Sequence, residues 1–309
     1  MPDRLRGLVA ATYTPFAPDR SLDVAAVPPL VERLLADGVA GLYVCGSTGE
    51  GVSLSTAERQ RVTEAFIAAA ADRVPVVVQV GHNSLVEARE LAAHAQAAGA
   101  DATSAMPPSY FKPGSVAMLV ECCAEIAAAA PKLPFYYYHI PVMTGVAVPM
   151  TSFLREAASR IPNLAGLKYT ANTLHEYQEC VALDGGRFDV LYGFDELLLP
   201  ALAVGAAGAV GSTFNIAAPL YRRVIDAFAA GDIEAARAAQ LTAVQLIGSI
   251  ARYPFHPAMK LIMGWLGTPC GGCRPPQPEL SAADQASLRS TLEASGFFEW
   301  SRPRAESVA

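Results

Sequence analysis

In the stretch NLAGLKYTAN (163–172) a single lysine, Lys168, interrupts a run that otherwise reads as a buried strand. Lysine is among the residues least often buried without a partner. Strand side chains alternate, so Gly166, Lys168 and Thr170 share one face and Leu167 and Tyr169 the other. Turned into a protein interior, the first face favours the neutral amine and lowers its pKa from about 10.4. A neutral amine is a nucleophile that condenses with a carbonyl carbon to give a Schiff base. The same strand also fits a lysine that snorkels to the rim or pairs with an acid.

Tyr138, in PFYYYHIP (134–141), shifts the balance toward chemistry. It ends the strand that neighbours the lysine strand in a sequential sheet, and a buried phenol placed there can relay a proton. Tyr136 and Tyr137 read as packing residues on alternate faces. His139 points away from Tyr138 and reads as structural. GSTGEG (46–51) surrounds Ser47 and Thr48 with three glycines, so the turn either aims backbone N–H groups at an anion or is an ordinary strand-to-helix turn. Asp195 and Glu196 either cap a helix N-terminus or accept hydrogen bonds from substrate hydroxyls.

Other signals exclude chemistries. GAAGAVG (205–211) lacks the dinucleotide-binding spacing and precedes its strand. Neither an HExxH motif nor a GxSxG elbow occurs, and the five histidines form no metal-ligand pattern. We expect no metal and no cofactor. CGGC at 270–273 is one pair without a second, and reads as a loop coincidence; Cys45, Cys122, Cys123 and Cys180 read as core residues.

The elements that must position these residues alternate. Strand-like runs at 7–16, 40–47, 75–81, 101–108, 134–141, 164–170, 188–195 and 208–213 are each followed by a helical stretch. The helix opening at STAER carries a capping box, Ser55 with Glu58; SLVEARELAAHAQAAG closes on Gly99; the eighth helix is expected near 218–230. Eight such units predict an α/β fold, a parallel (β/α)8 TIM barrel over residues 1–232. Residues 233–309 read as a C-terminal helical extension packed on it. Polar groups then gather where catalytic groups cluster in such barrels, at the C-terminal ends of the strands.

The chain has 309 residues, a formal net charge of −6 and only 17% charged residues, against roughly 25% in soluble domains. The thin charged coat suggests partner subunits. Without a basic stripe, nucleic acid is not an expected partner. The opening MPDRLRGLVAATYTPF does not read as a signal peptide, and no apolar run approaches a membrane span. A cytoplasmic protein acting on a small molecule, with no membrane partner, is expected.

Together GSTGEG (46–51), YHIP (138–141), GLKYT (166–170), GFDE (193–196), GAVGSTFN (208–215) and GGCRPP (271–276) resemble the N-acetylneuraminate lyase and dihydrodipicolinate synthase family of class I aldolases. The likeness covers nearly the whole chain, and PFYYYHIP together with GFDE favours the lyase branch. Synthases usually carry a dicarboxylate-binding arginine where this chain has Met143. The resemblance implies a nine-carbon α-keto sugar acid as substrate, with pyruvate and N-acetylmannosamine as products. Lys168 would attack the C2 ketone and Tyr138 would shuttle the proton. Ser47 and Thr48 would hold the carboxylate, and Thr170, Gly193, Asp195, Glu196 and Ser212 the polyol. A homotetramer, a dimer of dimers, is also implied. Ser109 stands where relatives often have an aromatic residue, and Tyr110 matches a position that reaches a neighbouring subunit in the synthases. Open alternatives are 2-keto-3-deoxygluconate aldolase, 4-hydroxy-tetrahydrodipicolinate synthase and a catalytically silent sugar-acid sensor.

Overall fold

Eight short strands hydrogen-bond in sequence order and close on themselves in a computed structural model that describes residues 4–301. Residues 1–3, at the start of the N-terminal segment, and 302–309, the end of the expected extension, lie outside the described residues. The strands are β1 (Gly7–Ala11), β2 (Gly41–Val44), β3 (Val76–Gln79), β4 (Ala102–Ala105), β5 (Phe135–His139), β6 (Leu164–Tyr169), β7 (Asp189–Tyr192) and β8 (Gly208–Gly211). All neighbours pair in parallel, which is the expected TIM barrel.

Helices cover the sheet from outside, so both faces of each strand are buried and the strands read as near-continuous apolar runs. Val9, Tyr43, Val77, Tyr136, Tyr138 and Leu191 fill the barrel interior. Leu8, Leu42, Tyr137, Leu167 and Tyr169 pack outward against the helices. One irregularity decides the phase of β6. Phe135 pairs with Leu164, yet Tyr136 pairs with Gly166, so Ala165 is an extra residue in the ladder. Beyond it Tyr138 stands opposite Lys168. A slip of one residue would turn Lys168 out among the helices. Gly166 admits the close approach of β7, because a Cβ there would overlap the Asp189 carbonyl.

The two helix ends marked by local sequence signals form as expected. Helix Thr56–Ala70 opens on the Ser55–Glu58 capping box, and Leu85–Ala98 closes on Gly99 at φ 89°. The eighth helix differs from expectation. It starts at Phe214 and is broken at Ala217 (φ −146°), just before Pro219. Proline lacks an N–H and clashes with the preceding turn, so 214–216 form a separate short turn, from which Asn215 Nδ2 donates to Ala11 O at the end of β1 at 2.7 Å. A one-turn helix, Pro141–Thr144, is also present beyond β5.

After Ala229 the chain adds helices Ile233–Ile250, Phe255–Trp265, Ala282–Ala294 and Phe297–Trp300. Their buried residues, among them Ala243, Ile250, Met259, Ile262, Leu288 and Phe297, join the same core cluster as the barrel helices.

His139 lies on the outer face of β5, buried between Tyr137 and Tyr169 with ring centroids 6.2 and 5.0 Å away. Burial pushes its pKa down to about 4, with a partial counter-pull from Glu176. The unfolded chain takes that proton near pH 6.5, the folded chain only near 4. The neutral ring therefore contributes stability above pH 6.5 that is lost as pH falls through the window, on the order of 3 kcal/mol at 1.36 kcal/mol per pH unit. His139→Phe should lose less of its melting temperature than the wild type between pH 7 and 4.5. Equal losses would show that this ring does not carry that dependence.

Candidate active site

The C-terminal ends of the strands bring the sequence-selected residues to one mouth of the barrel. Ser47 and Thr48 follow β2, Tyr138 lies on β5, Lys168 on β6, and Thr170 just after it. Gly193, Asp195 and Glu196 follow β7, and Ser212 follows β8.

Lys168 is 4% exposed and faces the interior. Its Nζ lies 3.9 Å from the centroid of the Tyr43 ring and 4.0 Å from that of Tyr138. The two rings meet edge to face at 5.7 Å. No carboxylate forms an ion pair with this lysine among the described residues. Burial lowers its pKa from the usual value, and the Tyr138 oxygen and the Asp195 carboxylate pull only partly the other way. The amine is thus desolvated and free to lose its proton, which is what a carbonyl-attacking lysine needs.

The groups around it form two clusters. The Tyr138 hydroxyl lies 3.5 Å from Ser47 Oγ, and Thr48 Oγ1 lies 2.6 Å from Ser212 Oγ. The turn after β2 therefore touches both the proton-relay candidate and the turn after β8. Thr170 Oγ1 is buried without a hydrogen-bond partner. Such a hydroxyl costs about 1–3 kcal/mol until something satisfies it. Gly193 is packed against that hydroxyl, and a Cβ at this position would overlap it.

One carboxylate oxygen of Asp195 is committed to the protein. Its Oδ2 accepts from Thr213 N at 2.8 Å and Thr213 Oγ1 at 2.5 Å, and the same threonine hydroxyl lies 2.6 Å from the Tyr221 hydroxyl. Burial raises the Asp195 pKa to about 6, opposed by the Thr213 hydrogen bonds and, more weakly, by Lys168. Its carboxylate ties the loop after β7 to the loop after β8. Glu196, half-buried beside it, has a carboxylate with no hydrogen-bond or ion-pair partner among the described residues.

Three features escape a reading of local motifs. Tyr43 forms one wall of the lysine's pocket and donates to Ser104 Oγ at 2.9 Å; its inward phase on β2 is the signal. Gln240 belongs to the first appended helix yet bonds the loop after β7. Glu50, the acid of GSTGEG, is buried and pairs with Lys260 at 2.8 Å. The Lys260 Nζ also donates to Thr14 O and Gly272 O, both at 2.9 Å, and Glu50 Oε2 accepts from Arg274 N at 2.9 Å. This network locks the 46–51 turn between the N-terminal segment and the extension. Lys260→Met leaves the Glu50 carboxylate buried and unpaired, so denaturant unfolding should show a loss of about 3–5 kcal/mol. Adding Glu50→Gln should recover part of it; a double variant no more stable than the single would reject the ion pair as the cause.

All six cysteines are free and buried. Burial pushes the Cys270 and Cys273 thiols each up to about 12, the wrong direction for a thiolate nucleophile or metal ligand.

A (β/α)8 barrel with a desolvated lysine beside a tyrosine on the adjacent strand defines a carbonyl-condensing enzyme of the aldolase type. The chain belongs to the dihydrodipicolinate synthetase family, whose sequence model matches residues 4–295. It is 42% identical over 239 residues to N-acetylneuraminate lyase B of Xenopus laevis, covering 77% of this chain and 90% of that one. It is 36% identical over 302 residues to N-acetylneuraminate lyase of Homo sapiens, covering 96% and 94%. Among solved structures, the N-acetylneuraminate lyase of Proteus mirabilis superposes with a TM-score of 0.93 at 38% identity, covering 96% of this chain and all of that one. The sialic acid aldolase of Aliivibrio salmonicida gives 0.93 at 42%, covering 96% and 98%.

Proposed function

We propose that the protein is a Schiff-base aldolase that cleaves N-acetylneuraminate to pyruvate and N-acetylmannosamine. The observation that carries this reading is the Lys168 amine, buried at the barrel mouth between the rings of Tyr43 and Tyr138 with no acid to hold its charge. The named relatives supply the substrate.

In this reading the neutral Lys168 amine adds to the C2 ketone of the open-chain keto acid, and water leaves. The resulting iminium draws electrons from the breaking C3–C4 bond while Tyr138, with the substrate carboxylate helping, takes the proton from the C4 hydroxyl. The aldehyde departs. The enamine left on Lys168 is protonated at C3, and water returns pyruvate and the free amine. Ser47, Thr48 and the backbone N–H groups of their turn hold the carboxylate. The unpaired Thr170 hydroxyl, Glu196, Ser212 and the second oxygen of Asp195 meet the polyol, while the Thr213-bonded oxygen of Asp195 and the close packing of Gly193 keep the loops that carry them in place.

Oligomerisation to a homotetramer belongs to the same proposal. Tyr110 and Phe111, 80% and 86% exposed, meet edge to face beyond β4, and Val142 and Met143 are exposed beyond β5 at the same end of the barrel. Large apolar side chains so placed suit a covered face, and light scattering should give four copies of the 32.5 kDa chain. The cytoplasm is the proposed compartment. No helix among the described residues is long and apolar enough to cross a membrane.

A lactate dehydrogenase-coupled assay over a panel of keto acids tests the substrate. N-acetylneuraminate should release pyruvate faster than 2-keto-3-deoxygluconate does. The reverse order would reassign the enzyme to short sugar acids, and condensation of pyruvate with aspartate semialdehyde would reassign it to the synthases.

A further inference from the structure

Gln240 is the one polar side chain on the buried stripe Ala236, Gln240, Ala243, Ile247 and Ile250 of helix Ile233–Ile250. It is 7% exposed, and a buried amide requires partners. It finds them in the loop after β7. The Nε2 group donates to Glu196 O at 3.0 Å and to Asp195 O at 3.2 Å, and Oε1 accepts from Leu199 N at 2.9 Å.

The location explains the need. Residues Asp195–Leu197 make a single 3-10 turn that runs directly into helix Leu198–Ala203, and no local side chain caps that helix. The Leu199 amide is among the donors that a helix start leaves orphaned. Gln240 supplies the acceptor from another element and binds two carbonyls of the preceding turn with the same amide. The Asp195 side chain is fixed separately by Thr213. The segment is thus pinned on two sides, and Glu196 is the residue between the pins whose own carboxylate is left unbonded.

We propose that Gln240 is a positioning residue that sets the Glu196 carboxylate over the barrel mouth. Through it the C-terminal extension selects long polyhydroxylated keto acids over short ones. This rests on the aldolase reading and concerns only the distal part of the substrate. Among the described residues neither Lys168 nor the turn at 46–51 forms a hydrogen bond with Gln240, Glu196 or Leu199, and the Asp195 carboxylate that acts on the amine is held by Thr213, so the condensation with pyruvate is separable from it.

Gln240→Met keeps the volume of the side chain and removes its hydrogen bonds, and the full-length chain is assayed with Glu196→Gln and the double variant beside it. In Gln240→Met, borohydride trapping of pyruvate on Lys168 should stay within about twofold of wild type. The KM for N-acetylneuraminate should rise about tenfold or more, the scale of a misplaced hydrogen bond to a charged group, with kcat changed much less. The double variant should bind no worse than Glu196→Gln alone, because both changes remove one interaction. An unchanged KM, a parallel loss of trapping and cleavage, or multiplied effects in the double variant would each overturn the proposal. A wild type that traps pyruvate but does not cleave N-acetylneuraminate would instead remove the substrate reading, and this proposal with it.

Discussion

The Lys168→Ala protein should fold and yet show no turnover of any keto acid, and borohydride with pyruvate should leave it without a covalent adduct. The structural part of this expectation follows from what the ammonium does not do. It makes no ion pair, so its removal strands no buried carboxylate. The carboxylate that senses it electrostatically, Asp195, keeps both Thr213 hydrogen bonds. What the fold loses is a buried side chain whose amine lies against the Tyr43 and Tyr138 rings, a cavity cost of about 2–5 kcal/mol. Lys168→Met, which refills that space, should restore the stability and none of the activity. The chemical part is all-or-none, because without the amine no iminium forms and the C3–C4 bond has no electron sink. An Ala variant that still releases pyruvate at a measurable fraction of the wild-type rate would end the Schiff-base reading. Loss of activity in Ala together with recovery in Met would do the same.

Much of this site is legible along the chain because strands obey a simple rule. Alternation assigns Lys168 and Tyr138 to one side of neighbouring strands, and the register then sets them opposite each other. Alternation alone does not foresee the bulge at Ala165, which readjusts the phase before Lys168 is reached. The polar turns after β2, β7 and β8 are visible for a related reason: in an otherwise apolar strand, polar residues at the C-terminal end have nowhere to go but the barrel mouth.

What stays hidden depends on pairs far apart in sequence. Glu50 and Lys260 are separated by most of the chain, and nothing near either announces a buried ion pair. Asp195 reads locally as a helix cap or a substrate ligand. One of its oxygens proves to be held by Thr213 on the next strand's loop, whereas neither carboxylate oxygen of Glu196 has a partner among the described residues. Gln240 leaves a fainter trace, one amide among alanines and isoleucines on a helix stripe that is otherwise apolar. Burial of that stripe predicts that the amide has partners but not which ones, since the loop it caps lies some forty residues upstream.

Tyr138→Phe should lower kcat by roughly 10²–10⁴-fold, the usual scale for a positioned acid–base group, while leaving the pyruvate adduct on Lys168 trappable. The reason lies in how the ring divides its work. Its face helps to wall the pocket at 4.0 Å from Lys168 Nζ and packs edge to face on Tyr43, and phenylalanine preserves both contacts. Its hydroxyl makes a 3.5 Å contact with Ser47 Oγ. That separation is too long to stabilise the fold much, but it leaves the oxygen poised between the 46–51 turn and the amine. Removing it therefore costs little stability and, in the proposed mechanism, takes away the proton acceptor at bond cleavage. The pull of the Tyr138 oxygen on Lys168 adds a second signature. That oxygen favours the ammonium, so its loss should shift the acid limb of adduct formation, where the amine loses its proton, to lower pH. A Phe variant with near wild-type kcat would refute the proton-relay role. A variant that lost adduct trapping and turnover together would place the hydroxyl in Schiff-base formation and not in cleavage of the carbon–carbon bond.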